Sequence, residues 1–196
     1  IFKEYGSRMY DIIRENPYKL AEDISGVGFK TADDIARKIG IEPNSEYRIK
    51  AGILYLLMQA NTEGHVYLPE EELIMRAKSL LMTDEEAVLN QLTNLSLEKK
   101  IVLADGSEGR LIYASVFYYM ELNVARMLHD LNIKYEYDQK ALNSRLAQIE
   151  KLTDTVLDEQ QRTAVIEAVR NGLLIITGGP GTGKTTTINA IIKVFE

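Results

Sequence analysis

Along this chain apolar residues return mostly every three or four positions, the rhythm of helices that bury one face. Asn16-Pro17 reads as a cap followed by proline in the first turn, so a short helix is expected to run to about Asp23. Ala32, Ile35, Ala36 and Ile39 predict a second helix from Lys30 to a glycine stop at Gly40. Between the two lies the tight turn Gly26-Val27-Gly28, with Val27 expected to plug it into its own core. The pattern is helix, hairpin, helix.

From Glu46, the positions Ile49, Ile53, Leu54 and Leu57 predict a helix through Ala60, then a turn at Gly64 and a short strand from His65 to Leu68. Pro69 opens a helix with Leu73, Ile74, Ala77, Leu80 and Leu81 on one side. Thr83 and Glu86 fit a capping box for a third helix, whose buried stripe would be Val88, Leu89, Leu92 and Leu95. Strands Ile101 to Ala104 and Arg110 to Tyr113 then flank a glycine turn, Asp105 to Gly109. This is the element order of a winged helix.

Helical spacing resumes from Val116 to Leu131, on Phe117, Met120, Leu128 and Leu131, and again from Asp138 to Ile149, with Lys151 to Leu157 as a link. A helix from Asp158 to Arg170 should end at Gly172. The continuous apolar run Leu173 to Thr177 reads as a fully buried strand, and a last helix starts at Lys184 with Ile188, Ile191, Ile192 and Phe195 on one stripe. The expected fold is mainly α: a helix-hairpin-helix region at 1–45, a winged-helix-like domain at 46–114, a helical connector at 115–152, and at 153–196 the first strand and helix of a P-loop α/β domain.

Composition narrows the chemistry. The 196 residues are 45% hydrophobic and 27% charged, a globular profile, and the absence of cysteine excludes disulfides and thiolate metal sites. His65 and His129 stand too far apart in sequence to argue for a metal site. The longest nearly unbroken apolar stretch, Ala51 to Met58, falls far short of the ~20 residues a bilayer needs, so no membrane association and a cytoplasmic location are expected. The chain opens on Ile1 rather than Met and ends on Glu196, which suggests ends cut from something longer. Net charge is −6, and residues 65–150 hold 14 acidic against 9 basic groups, making that segment the least suited to lie along phosphates.

One run carries specific chemistry. "GGPGTGKTTT", Gly178 to Thr187, fits the phosphate-loop pattern GxxxxGK(S/T) through Gly178, Gly183, Lys184 and Thr185. Glycine is required because such a loop wraps its amides around phosphate oxygens, and the following helix points its positive end at the same anion. The expected ATP-binding residues are Gly178, Gly179, Pro180, Gly181, Thr182, Gly183, Lys184, Thr185 and Thr186. Lys184 would reach the β- and γ-phosphates in the catalytic role, and the Thr185 hydroxyl would ligate Mg²⁺.

Upstream, "LDEQQRTAV" resembles the Q motif of superfamily 1 helicases, which implies that the amide of Gln161 recognises adenine with one donor and one acceptor. "ISGVGFKTADDIARKIG" resembles the helix-hairpin-helix pattern, with Ile24, Gly26, Val27, Gly28, Ala32 and Ile35 on its marks. Together with the phosphate loop, these stretches make the chain similar to the RecD-like branch of superfamily 1 DNA helicases, in particular its stand-alone members with a helix-hairpin-helix extension. The resemblance implies an ATP-dependent enzyme that translocates 5′→3′ on single-stranded DNA and unwinds duplex. It also implies motor motifs absent from these 196 residues, among them an acidic pair for Mg²⁺ and a charge-stabilising arginine. This piece alone is therefore expected to be inactive, with its cradle poorly ordered or its apolar strand paired to another chain.

For DNA, the resemblance implies sequence-independent phosphate contact by Gly26, Val27 and Gly28, reinforced by Lys30. Asp33 and Asp34 follow at once, which leaves a pure scaffold role open. The third helix of the winged-helix-like domain opens with Asp84, Glu85 and Glu86 and is expected to be scaffold. Tyr113, Phe117, Tyr118 and Tyr119 could stack bases, although aromatics at such spacings more often fill a core. Single-stranded or fork DNA and ATP are the expected partners. The competing readings are a non-enzymatic DNA-binding or protein-interaction module and an AAA-type ATPase switch, against which Gln161 in its setting argues.

Overall fold

The computed structural model describes residues 5–24 and 26–196; residues 1–4 and 25, which fall in the expected first region, lie outside it. The chain divides into two compact units, one ending at Glu121 and one beginning at Leu122. It is mainly helical with one small sheet, as the periodicity predicts.

In the first unit a 3-10 turn, Gly6–Arg8, leads into α1 (Met9–Glu15), α2 (Lys19–Asp23) and α3 (Phe29–Lys38). α2 starts two residues after Pro17, because the Asn16 carboxamide accepts from the Tyr18 amide and holds Pro17-Tyr18 as a turn. α4 (Glu46–Thr62) is capped by the Ser45 hydroxyl, which accepts from Arg48 N–H. β1 (Tyr67–Pro69), α5 (Glu70–Leu81), α6 (Glu85–Leu97), β2 (Ile101–Gly106) and β3 (Gly109–Ala114) follow in the expected order. The sheet is antiparallel with order β1-β3-β2, pairing Tyr67 with Tyr113 and Gly106 with Gly109. The wing turn is thus shorter than the expected Asp105–Gly109.

One core joins the hairpin region to the three-helix domain, with Tyr18, Phe29, Ala32, Ile53, Leu57, Leu73, Leu95 and Ile112 among its members. Truncating a fully buried member such as Ile53 to alanine removes about 3 kcal/mol. α4 and α5 approach closely at Gly52, where a Cβ would stand 2.7 Å from the Leu81 side chain.

Three sequence expectations in this unit are corrected. The α6 cap is Asp84, whose carboxylate accepts from Ala87 N–H, while the Thr83 hydroxyl turns to Asn44. Leu89 is exposed, leaving Val88, Leu92 and Leu95 as the buried stripe. The tyrosines near the sheet are not all core: Tyr119 is 57% exposed, and Tyr118 is half-buried with its ring edge-on to Tyr113.

α7 (Ser115–Leu131) spans the division between the units and buries no residue, so Met120, Leu128 and Leu131 are solvent-exposed despite their spacing. In the second unit α8 (Gln139–Thr153) runs four residues beyond its expected end at Ile149. It packs through Leu142 and Leu146 against Leu157, Val165 of α9 (Glu159–Arg170) and Ala190 of α10 (Lys184–Phe195). The expected strand Leu173–Thr177 is not formed. The segment joins no sheet, its only neighbouring pairing is the single bridge Lys134–Asn171, and Ile175 is 79% exposed. A central strand needs partners on both sides, and the described residues offer none. For the same reason α10 buries Thr187 and Ala190 while Ile188, Ile192 and Phe195, on the expected stripe, are exposed.

Candidate nucleotide site and DNA-facing hairpin

The run Gly178–Gly183 forms a loop at the start of α10. Gly181 and Gly183 hold φ of +77° and +74°, values that L side chains rarely adopt. Gly183 caps α10 without a side-chain cap, so the first amides of that helix point into the loop unsatisfied by any side chain. The Thr182 hydroxyl donates to Gly179 O at 2.9 Å. A Cβ at Gly178 would stand 2.7 Å from that hydroxyl oxygen, which is why the first glycine is needed too.

Lys184 Nζ donates to Gly178 O at 2.8 Å and to Gly179 O at 2.6 Å, bending its ammonium over the mouth of the loop. Incoming phosphate oxygens would exchange with these two carbonyls as acceptors. The Thr185 hydroxyl is exposed and has no hydrogen-bond partner among the described residues, whereas the Thr187 hydroxyl donates to Gly183 O. No group of three or more His, Asp or Glu side chains converges among the described residues.

Gln161 reaches the same place from α9. Its side-chain oxygen accepts from Asp158 N–H while the Asp158 carboxylate accepts from Gln161 N–H, a reciprocal capping box. The amide nitrogen then faces the loop, 2.2 Å from where a Cβ on Gly183 would stand. Of the donor and acceptor expected to read adenine, the acceptor already holds a cap bond and the donor is directed at the cradle. Glu150 fixes this start of α9: one carboxylate oxygen accepts from Leu157 N–H at 2.9 Å and the other from the Arg162 guanidinium. The sequence reading missed Glu150, since nothing in its spacing marks it. Gln161, Gly178, Thr182 and Lys184 line one cleft of about 360 Å³, whose walls also include Ala164, Ile176 and Thr177.

In the first unit Gly26 takes φ +88° and Val27 N–H closes the turn on Ile24 O at 3.1 Å. Gly26, Gly28 and Lys30 are exposed. Val27 is only half-buried; the residue that anchors the hairpin is Phe29, 4% exposed and stacked on Tyr18 and Tyr55. A bulky ring at the start of α3 reaches deeper into the core than a valine at the turn's tip. Asp33 also turns inward, 8% exposed. It accepts from the Tyr18 hydroxyl and from Arg48 Nε, each at 2.7 Å. Burial works against its charge, but the hydrogen bonds from Arg48 and Tyr18 outweigh that and hold the carboxyl below its ordinary range. Burial, with the Asp33 bond behind it, pushes the Tyr18 phenol up. Only Asp34 of the two acids following the hairpin faces water.

Residues 1–67 match the ATP-dependent RecD2 DNA helicase HHH domain, and residues 161–196 match an AAA domain. The chain is 28% identical over 206 aligned positions, 99% of its length, to the ATP-dependent RecD2 DNA helicase of Deinococcus radiodurans. It is 27% identical over 76% of its length to the RecBCD enzyme subunit RecD of Buchnera aphidicola, and 48% identical over 46 residues to that of Mycobacterium tuberculosis, 24% of this chain and 8% of that one. It spans 28% of the length of the first relative and 27% of the second. No helix among the described residues is long and apolar enough to cross a membrane. Over these stretches the chain is similar to RecD-like helicases.

Proposed function

We propose that this chain contributes the nucleotide cradle and a DNA-contacting region to an ATP-dependent DNA helicase that travels 5′→3′ on single-stranded DNA in the cytoplasm and separates duplex ahead of it. The observation that carries the reading is the single cleft shared by Gln161, Gly178, Thr182 and Lys184, which joins an amide able to read adenine to a loop able to hold phosphates. Its residues take the roles set out above: Gly178 to Thr186 cradle the triphosphate, Lys184 counters its charge, Thr185 completes the Mg²⁺ shell and Gln161 meets the base. Direction of travel rests on the resemblance alone. The modules are 1–45, 46–114, 115–152 and 153–196, the second serving as scaffold because α6 opens with acidic residues.

Hydrolysis needs charge stabilisation from more groups than one loop supplies, so the chain by itself should bind Mg-ATP without turning it over. The test is titration of the chain with a fluorescent ATP analogue. Binding that weakens at least tenfold in Lys184→Ala is expected, and in a protein with the complete motor, hydrolysis stimulated by single-stranded DNA and lost in the same variant. Nucleotide binding indifferent to Lys184 would remove the proposal. An AAA-type switch would instead show hydrolysis independent of DNA.

A further inference from the structure

A cavity of the first unit belongs to neither the nucleotide cleft nor the hairpin's exposed tip. It measures about 540 Å³ and opens beside the hairpin: Gly28 and Phe29 form one side, Ala51, Tyr55 and Met58 of α4 another, and Lys100 and Ser115 a third. That volume suits a small planar ligand. Its most specific feature is a row of three rings. Tyr18, Phe29 and Tyr55 stack in sequence, with centroids 5.8 and 5.3 Å apart and planes within 24°. The row begins on buried Tyr18 and ends on half-buried Tyr55, beside the exposed side chain of Met58.

We infer that this cavity receives one unpaired nucleobase of the strand whose phosphate the Gly26–Gly28 hairpin holds. The inference rests on the reading of that hairpin as a phosphate contact. Gly28 is the link, since it belongs to the exposed hairpin and lines the cavity as well, so a nucleotide seated there has its base at the opening. A base entering at Tyr55 extends the ring row by a fourth member, and every base has a face that can do so, which keeps recognition independent of sequence. The polar groups at the rim suit this occupant better than an apolar peptide side chain would. Lys100 and Glu22 form an exposed ion pair at 3.1 Å, weak enough to open and offer a donor and an acceptor to a base edge. The Ser115 hydroxyl, which donates to Lys99 O, keeps its lone pairs free to accept.

The test compares binding of the chain to a short oligothymidylate and to an abasic strand of equal length at low salt. The base-containing strand should bind roughly tenfold tighter, within the range that stacking on one aromatic side chain supplies. Ala51→Phe fills the cavity, and Tyr55→Leu keeps apolar bulk while removing the terminal ring. In either variant, once thermal unfolding shows it folded, the preference should fall towards one with abasic affinity unchanged. Lys30→Glu should weaken both strands alike. Equal affinity for the two strands overturns the cavity's role and leaves the hairpin reading standing, and it is also the result expected if a protein segment fills the cavity. A preference that survives in both variants overturns the role as well. Binding to neither strand removes both readings.

Discussion

At Gly183 two constraints coincide. Its φ of +74° strains any L side chain by about 1–2 kcal/mol, and a Cβ would also collide with the Gln161 amide nitrogen. That amide can rotate away, but doing so breaks its bond to Asp158 N–H and turns its donor from the cradle. Gly183→Ala is therefore expected to lower nucleotide affinity at least tenfold while lowering stability by only about 1–2 kcal/mol. Titration with an ATP analogue beside thermal unfolding separates the two effects. Gln161→Ala should lose the cap as well as the base contact, so its affinity loss should come with a stability loss of about 1 kcal/mol. The motif residues were legible because spacing alone specifies them. The capping use of Gln161 was not, since the spacing of a glutamine three residues after an aspartate does not by itself mark it as a cap partner, and only the structure shows its oxygen in the cap and its nitrogen turned to the loop at Gly183.

Among the elements, α3 and α4 are fastened by Asp33 and Arg48, whose side chains are 11% and 13% exposed. Arg48 also donates to Pro43 O and Leu81 O, so one guanidinium ties α3, α4 and the end of α5. Asp33→Asn leaves that guanidinium buried and underpaired and should cost about 3 kcal/mol or more. The pH dependence follows from the lowered carboxyl. Its stabilisation is complete above the unfolded-state value of about 4 and is lost as pH falls through the lower folded-state value. Denaturant melts in this acid window should show stability falling with pH in the parent, with less of that slope in Asp33→Asn. Sequence patterns located α2 to α10 but missed α1 (Met9–Glu15), which buries no residue and so writes no stripe. They misjudged Leu89, α7 and the stripe of α10, since spacing shows that a face is apolar and not whether anything covers it. Leu173–Thr177 failed for the same reason: composition can mark a strand, but its partners must be supplied from elsewhere in a sheet.

Taken whole, a chain with net charge −6 is a poor general attractor of DNA, and its acidic excess lies in residues 65–150. Any DNA contact must be local, and the inward turn of Asp33 relieves the hairpin of one of its two following acids. Such a contact neutralises few phosphates. With about two, a fourfold rise in salt should weaken single-strand binding about sevenfold, far less than an extended basic groove would show. Anisotropy titrations across a salt series measure the slope, and a steep dependence would indicate a wider DNA surface than the hairpin. Whole-chain organisation was legible where short motifs punctuate it and obscure where one core joins the hairpin region to the three-helix domain, because a shared core is written in residues as far apart as Phe29 and Ile112.

The ammonium of Lys184, resting on two carbonyls of its own loop, has one more consequence. The backbone around it is already wound as an anion would require, so arrival of a nucleotide asks for the swing of one flexible side chain and no refolding of the glycines. Capture should then proceed at a rate set by encounter, and the empty and loaded forms should show nearly the same amide-exchange protection through the first turn of α10.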